Sequence, residues 1–486
     1  MNKKVLLIAP YFVNPEYPTY LPSENLGLGY IASFLRKNGF EVDILDANML
    51  SINSEDILDY VEPNDYFLVG ISSSFQQLLD ESVKVATKLK EIRPDLHIAI
   101  GGHFPTFEHS NILKKYNCFD SVSRGDGEFS ITELATKLKN NEDIYSIDGM
   151  TFLKGSDIIV NKDRKLVDLD ILPWPARDTL TYIKEHNHNW ATQLTTSRGC
   201  YGNCLFCDIS AFYKGHWRAR NYVDVVDEIE YLINNYGCKT FRFTDDEFLG
   251  PKPEGPERAK KFAQEIIKRN INANFMISAR AEDVDEELFE LLAQAGVNDC
   301  LIGVESGVDR ILKLYNKKIT VEQNQNSIDI LKKFDIKLNL AYIMIDPRMT
   351  FEELQQNYEF LKHNGIITID SLRSYFWPLY GTPALKQFEK DNLIKNQIIN
   401  KVEYHFIDQR VENVFNRVNE SCLKCFELDK KIQESIMNGC NRSVLDEVNK
   451  EYTAYWINYF ESLLYGKQFN EEENFFKQKV KQLEKK

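Results

Sequence analysis

The segment Ser197-Arg-Gly-Cys200-Tyr-Gly-Asn-Cys204-Leu-Phe-Cys207 places three cysteines on one loop, spaced x3 and x2, just after a strand signal at Leu194. Three thiolates in such a loop can converge on one iron–sulfur cluster. A fourth thiolate is missing from the loop, so one iron of a [4Fe–4S] cube stays open, as the metal of a catalytic site must. Gly199 and Gly202 supply the backbone freedom that tight turns around a cube require. The competing reading is a zinc site completed by His216, although zinc cysteines normally come as Cys-x2-Cys pairs.

Outward from this loop, strand and helix signals alternate. Downstream, strands are expected at Thr240–Phe243, Asn274–Ile277, Asp299–Gly303 and Leu338–Met344, with helices between them. That is the pattern of a full or partial (β/α) barrel over residues 191–382. Beyond it, residues 383–486 are rich in Glu, Lys, Asn and aromatics at helical spacing and read as a helical C-terminal region. Upstream, residues 146–190 read as a connector with a small hairpin (Met150 to Leu153, Ile158 to Val160) and a Pro-rich turn. Residues 1–145 alternate again: strands at Lys4 to Ala9, Phe40 to Leu45, Tyr66 to Ser72 and His97 to Ile100, with helices over Leu26 to Asn38 and Leu78 to Glu91. Short apolar strands separated by helices imply an α/β fold whose parallel sheet is covered on both faces.

The bulk numbers narrow the function classes. Of 486 residues, 59 are Lys or Arg and 73 are Asp or Glu, a formal charge of −14, which disfavours a nucleic-acid partner. The N-terminal apolar run is too short for a signal segment, and no stretch approaches 18 apolar residues, so neither export nor a membrane span is expected. Nine cysteines then belong in a reducing, cytoplasmic setting, where clustered thiols more often bind metal than form disulfides. Cys422, Cys425 and Cys440 are candidates for a second cluster, but they sit on a helical segment without a glycine-rich loop and read as ordinary thiols.

Residues 195–380 resemble the radical S-adenosylmethionine (SAM) superfamily, whose signature is Cys-x3-Cys-x2-Cys with an aromatic residue, here Phe206, before the last cysteine. The resemblance implies that Cys200, Cys204 and Cys207 hold the [4Fe–4S] cluster. It also implies SAM contacts from Phe206, from Asp245 and Asp246 after the second barrel strand, from Ser278 and Arg280 after the third, and from Glu305 after the fourth. Singly, an Asp-Asp at a strand end is a helix cap and an Arg is a surface ion pair. In order, at the carboxyl ends of successive strands, they favour an active site.

The first 135 residues resemble the Rossmann-like cobalamin-binding domain that precedes many radical SAM barrels. The matching residues are Leu26 and Gly27, Ser72, Ser73, Phe75 and Gln76, Gly101, Gly102 and His103, and Gly125, Gly127 and Glu128. The Asp-x-His-x-x-Gly motif that gives cobalt an axial histidine is absent, and Tyr11-Phe-Val-Asn-Pro-Glu-Tyr-Pro stands there instead. The resemblance therefore implies base-off cobalamin, its lower face covered by Ser72 to Gln76, with Phe75 or Gln76 in the axial space. The implied activity is reductive SAM cleavage followed by methylation of an unactivated carbon in a small molecule or peptide, driven by a flavodoxin- or ferredoxin-type reductant. The alternatives are a cyclase or rearrangement enzyme on the same fold, and a cobalamin or cluster sensor without turnover.

Overall fold

Lys4–Ala9 is apolar on both of its faces, and in the computed structural model it forms the interior strand β1. The structure describes residues 4–11, 24–50, 52–61, 65–185, 191–437, 442–469 and 474–484. Leu6 and Ile8 enter one core and Val5, Leu7 and Ala9 another, so the strand is buried from both sides. β2 (Glu41–Asp46), β3 (Tyr66–Ser72), β4 (His97–Gly101) and β5 (Ser121–Ser123) run parallel to it in the order β2-β1-β3-β4-β5. The first helix, Leu26–Lys37, is capped by the Asn25 side chain, which accepts from the Leu28 N–H at 3.0 Å, and Gly39 ends it at φ 81°.

The expected hairpin forms as β6 (Met150–Lys154) and β7 (Asp157–Val160), but it is not a free connector. β6 pairs antiparallel with β5, so the hairpin extends the first sheet to seven strands. Phe152, fully buried, plugs the hairpin into the core around Val5 and Leu134. A hairpin is legible locally, whereas its choice of a third strand rests on contacts distant in sequence.

The second sheet is a five-stranded parallel array in the order β14-β13-β12-β11-β8, a partial barrel. Its strands are β8 (Thr192–Leu194), β11 (Thr240–Phe243), β12 (Asn274–Arg280), β13 (Val297–Glu305) and β14 (Lys337–Tyr342). Beyond the β14 edge, an isolated parallel bridge between Ile345 and Tyr375 begins a sixth position. Between β8 and β11, the short pair β9 (Ser197–Arg198) and β10 (Arg218–Ala219) clasps the cysteine loop at its two ends.

The C-terminal region is helical over Gln409–Met437, Arg442–Tyr465 and Phe475–Glu484, but it also holds a hairpin, β15 (Ile394–Ile398) with β16 (Lys401–Tyr404). Four of the five β15 residues are exposed, so the strand lacks the apolar alternation that announces one. Arg373 ties this region to the barrel: it lies 2.8 Å from Asp429, donates to Cys425 Sγ at 3.1 Å and faces the Trp456 ring at 4.3 Å. Among the described residues, no helix is long and apolar enough to cross a membrane.

A buried ionic seam joins the two sheets. Arg177 pairs with Glu24 (3.1 Å) and Glu228 (2.8 Å), and Arg220 with the other Glu228 oxygen (2.6 Å). Arg198 pairs with Asp126 (3.0 Å) and Glu128 (2.7 Å), and Arg218 with Asp126 (2.9 Å). Glu228 and Asp126 are each shared by two arginines, which is the geometry that repays taking charges out of water.

Candidate active site

The cysteine loop is anchored by the two aspartates that follow β11. Asp245 accepts from the Thr196 N–H (2.7 Å) and the Ser197 hydroxyl (2.7 Å), and Asp246 accepts from the Gly199 N–H (2.8 Å). Gly199 has φ 89°, and a Cβ there would lie 2.1 Å from the His216 carbonyl oxygen, so only glycine fits. Gly202 wraps the loop around Arg280: a Cβ would lie 2.0 Å from its Nη1. That guanidinium donates to Cys204 Sγ at 3.4 Å, and the Gly202 N–H donates to Cys200 Sγ at 3.3 Å.

The three thiols lie within electrostatic reach of one another. Burial pushes Cys200 up to about 11 and Cys207 higher still, each raised further by the neighbouring thiols. Such thiols ionise when a metal takes the place of the proton. The loop thus fits a cluster: three neighbouring thiols, two of them with a backbone or guanidinium N–H pointed at the sulfur, which is how proteins hold and tune one. Among the described residues, no three His, Cys, Asp or Glu side chains are gathered to hold a single ion. His216 does not complete a zinc site, because it is exposed and its Nδ1 lies 2.9 Å from the Lys214 carbonyl.

Two of the residues expected at SAM, Phe206 and Glu305, line one cavity of about 460 Å³ with Tyr342, Tyr375 and Trp377. Glu305 sits at φ 63°, a left-handed conformation that costs a non-glycine residue of order 1–3 kcal/mol and that tends to mark a functional position. Asp246 opens instead into a second cavity described below, where burial raises it to about 6. Asp245 is committed to the loop, and Arg280 covers Cys204 while pairing with Glu282. Ser278 lines neither cavity, and its carbonyl accepts from the Phe248 N–H at 3.0 Å.

Sequence reasoning missed Lys317. It is 3% exposed, its Nζ lies 3.1 Å from Glu305 Oε1, and its carbonyl accepts from Arg280 Nη2 at 3.2 Å. Gly303 makes room for it, since a Cβ there would stand 2.6 Å from Nζ. Lys317→Met leaves Glu305 buried without its cation. A charge-assisted hydrogen bond contributes about 1.5–3 kcal/mol, so the KM for SAM should rise roughly tenfold or more while iron content is retained. Unchanged SAM affinity contradicts this role.

The second cavity, about 470 Å³, lies between the domains. From the first domain it takes Leu26, Gly27, Ser72, Phe75, Gly101, Gly102, His103, Gly125, Gly127 and Glu128, and from the barrel Ser197, Arg198, Thr244 and Asp246. Gly102 has φ 119°, and a Cβ there would meet the Ser73 carbonyl at 2.8 Å, so only glycine fits at this edge of the cavity. Two cavity residues present buried oxygens without partners: Asp46 Oδ2, and Glu128 Oε2, whose other oxygen binds Arg198. Burial raises Asp46 to about 6. A corrin rimmed with carboxamide N–H groups is the kind of ligand that satisfies such acceptors, so the lining fits cobalamin.

Two of the residues expected at cobalamin, Gln76 and Ser73, do not line this cavity. Gln76 starts a 3₁₀ turn, which swings its side chain away, and it lines a third cavity instead. Ser73 is fully buried behind the wall with its hydroxyl unpartnered. Phe75, 59% exposed, does line this cavity. His103 stacks on Phe212 at 3.9 Å, and its Nδ1 lies 3.2 Å from Asp208, bridging the first domain to the residue after Cys207. The segment that replaces the axial-histidine motif lies, apart from Tyr11, outside the described residues, as does Cys440.

Comparison with known proteins agrees with this geometry. Residues 194–361 match the model of the radical SAM superfamily, and residues 19–135 match that of the B12 binding domain. The chain is 28% identical to an uncharacterized methyltransferase of Pyrococcus horikoshii over 69% of this chain and 72% of that protein. It is 29% identical to the anaerobic magnesium-protoporphyrin IX monomethyl ester cyclase of Synechocystis over 71% of this chain and 69% of the cyclase. Its fold follows the cobalamin-dependent SAM radical enzyme OxsB, solved with aqua-cobalamin and SAM, at TM-score 0.75 and 20% identity, covering 99% of this chain and 83% of that one. With the cysteine loop on the barrel and the glycine-lined cavity on the sheet that precedes it, this chain is a radical SAM enzyme with an N-terminal B12-binding domain.

Proposed function

We propose that the chain is a C-methyltransferase that modifies an unactivated carbon of a small molecule, using SAM, a [4Fe–4S] cluster and base-off cobalamin. The observation that carries this reading is the shared cavity. Gly101 and Gly102, at the end of β4, and Thr244 and Asp246, at the end of β11, line one space, so a corrin held by the first sheet faces the barrel mouth. Ligands of open α/β sheets sit at the carboxyl ends of the strands, and here two such ends oppose each other. A methyltransferase in the Pyrococcus relative's name and a cyclase in the Synechocystis relative's name leave the outcome of the radical step to experiment.

When bound, the cluster supplies the electron that splits SAM, and cobalamin carries the methyl group. The chain's own residues do the positioning. Arg280 and the Gly202 N–H direct positive charge at two of the three sulfurs. Lys317 and Glu305 form a buried pair at the SAM cavity, and the Arg198–Glu128 pair closes the floor of the corrin cavity. Holding the reacting groups in one water-poor space is where such enzymes gain rate. A soluble one-electron donor of the flavodoxin or ferredoxin type and a cytoplasmic location go with this reading.

With methyl-labelled SAM and its substrate, the enzyme should yield a product heavier by one methylene unit that carries the label. 5′-Deoxyadenosine and S-adenosylhomocysteine should appear in near-equal amounts. 5′-Deoxyadenosine with background S-adenosylhomocysteine rejects methyl transfer in favour of cyclisation or rearrangement.

A further inference from the structure

A third cavity of about 580 Å³ is walled by all three parts of the chain. Gln76 and Asp80 come from the first domain, Tyr375 and Trp377 from the barrel edge, and Tyr404, Phe406 and Phe415 from the C-terminal hairpin and helix. Its position is specific. Tyr375 and Trp377 also line the cavity of Phe206 and Glu305, and Gln76 directly follows Phe75 of the corrin cavity. The third cavity therefore shares two aromatic walls with the cavity of Glu305 and lies one residue along the chain from the wall of the corrin cavity.

Its walls define what fits. Tyr375 stacks on Trp377 at 5.3 Å, Phe415 meets Tyr375 edge-on at 5.1 Å, and Phe406 meets Phe415 at 5.0 Å. The Tyr404 hydroxyl donates to the Phe376 carbonyl at 2.8 Å, pinning the hairpin to the barrel edge so that the aromatic wall is preformed. Around the rings, Lys395 and Lys401 oppose Asp80, Glu403 and Glu412, and Lys401 pairs with Glu403 at 3.1 Å. The lysines disfavour a cation and the carboxylates an anion, while Asn400, Asn416 and Gln76 offer amide hydrogen bonds. A volume of this size suits a small molecule.

We propose that this cavity binds the substrate, and that it takes an uncharged small molecule presenting an aromatic ring. The inference rests on the methyl-transfer reading for its role but on the wall alone for its chemistry. The hairpin and the helix Gln409–Met437 are then the specificity element of the enzyme.

The test is equilibrium dialysis of the full-length, cofactor-loaded protein against indole-3-acetamide and cyclohexylacetamide, two neutral amides of which one carries an aromatic ring. Indole-3-acetamide should bind the more tightly. Phe406→Leu and Phe415→Leu should each weaken it roughly three- to tenfold, the range a lost aromatic pair contributes. Iron and corrinoid content should stay at parental levels in both variants. Equal retention of the two probes, no retention of either, or parental affinity in both variants overturns the proposal. Ring-selective binding by a protein that makes no S-adenosylhomocysteine would sink the methylase reading and leave this site standing. Methylation without ring selectivity would do the reverse.

Discussion

Cys204→Ala reduces SAM cleavage by at least about a thousandfold and strips the cluster, whereas Cys425→Ala leaves iron content at the parental value. Both cysteines are buried and both touch an arginine, Arg280 in one case and Arg373 in the other, so burial and charge do not separate them. Their surroundings do. Cys204 shares its loop with two further thiols inside a backbone that only glycine permits at Gly199. With one of three thiolates gone, two cannot retain a cube with an open iron. Cys425 sits within a helix, donates to the Ser421 carbonyl at 2.9 Å and has its ionisation pushed up to about 12 by burial. Its loss should cost about 1 kcal/mol of stability and no iron. About eight irons per chain, falling to about four in the Cys425 variant, would contradict the single-cluster account.

Arg220→Ala has the second large effect, and it acts on the seam. Arg220 is 4% exposed, and its guanidinium serves Glu228, Asp224, the Thr195 carbonyl and the Tyr30 hydroxyl. Removing it leaves Glu228, 1% exposed, with one cation where it had two. Breaking a buried pair from one side costs about 3–5 kcal/mol. Because Tyr30 and Arg198 of the same seam line the corrin cavity, corrinoid retention should fall with the melting temperature. Arg36→Ala is the control. It removes a bidentate pair with Asp178 (2.7 and 2.9 Å) whose side chains are more than a third exposed, and such pairs contribute about 1 kcal/mol or less. Equal destabilisation by the two substitutions would show that the seam is not what holds the domains in register.

The parts of this design legible in the sequence share one property: their residues are contiguous. The cysteine loop, the Asp245-Asp246 pair and the Gly101-Gly102 turn each declare themselves within a few positions, because backbone freedom and ligand spacing are local demands. Lys317 does not. It is twelve positions from Glu305, in a loop without a motif, and only the fold brings the two together. Asp46 likewise ends a strand in a way any aspartate might, and its significance is the unpartnered oxygen over the cavity. Gln76 lines a different cavity from its neighbour Phe75, because the chain passes from extended backbone at Phe75 into a 3₁₀ turn at Gln76. The β15–β16 hairpin reads as helical in sequence because three of the four exposed β15 side chains are polar, and the aromatic wall it completes is hidden with it.

The central claim is that one cavity brings cobalamin chemistry to the mouth of a radical SAM barrel, and it can be tested before any substrate is known. The protein, purified anaerobically with its cluster reconstituted and cobalamin added, is given methyl-labelled SAM and a low-potential reductant. The account predicts one tightly retained corrinoid per chain that acquires the label, with S-adenosylhomocysteine formed in step and 5′-deoxyadenosine released slowly alongside. A protein that releases 5′-deoxyadenosine but retains no corrinoid, or whose corrinoid never takes up the label, would contradict it.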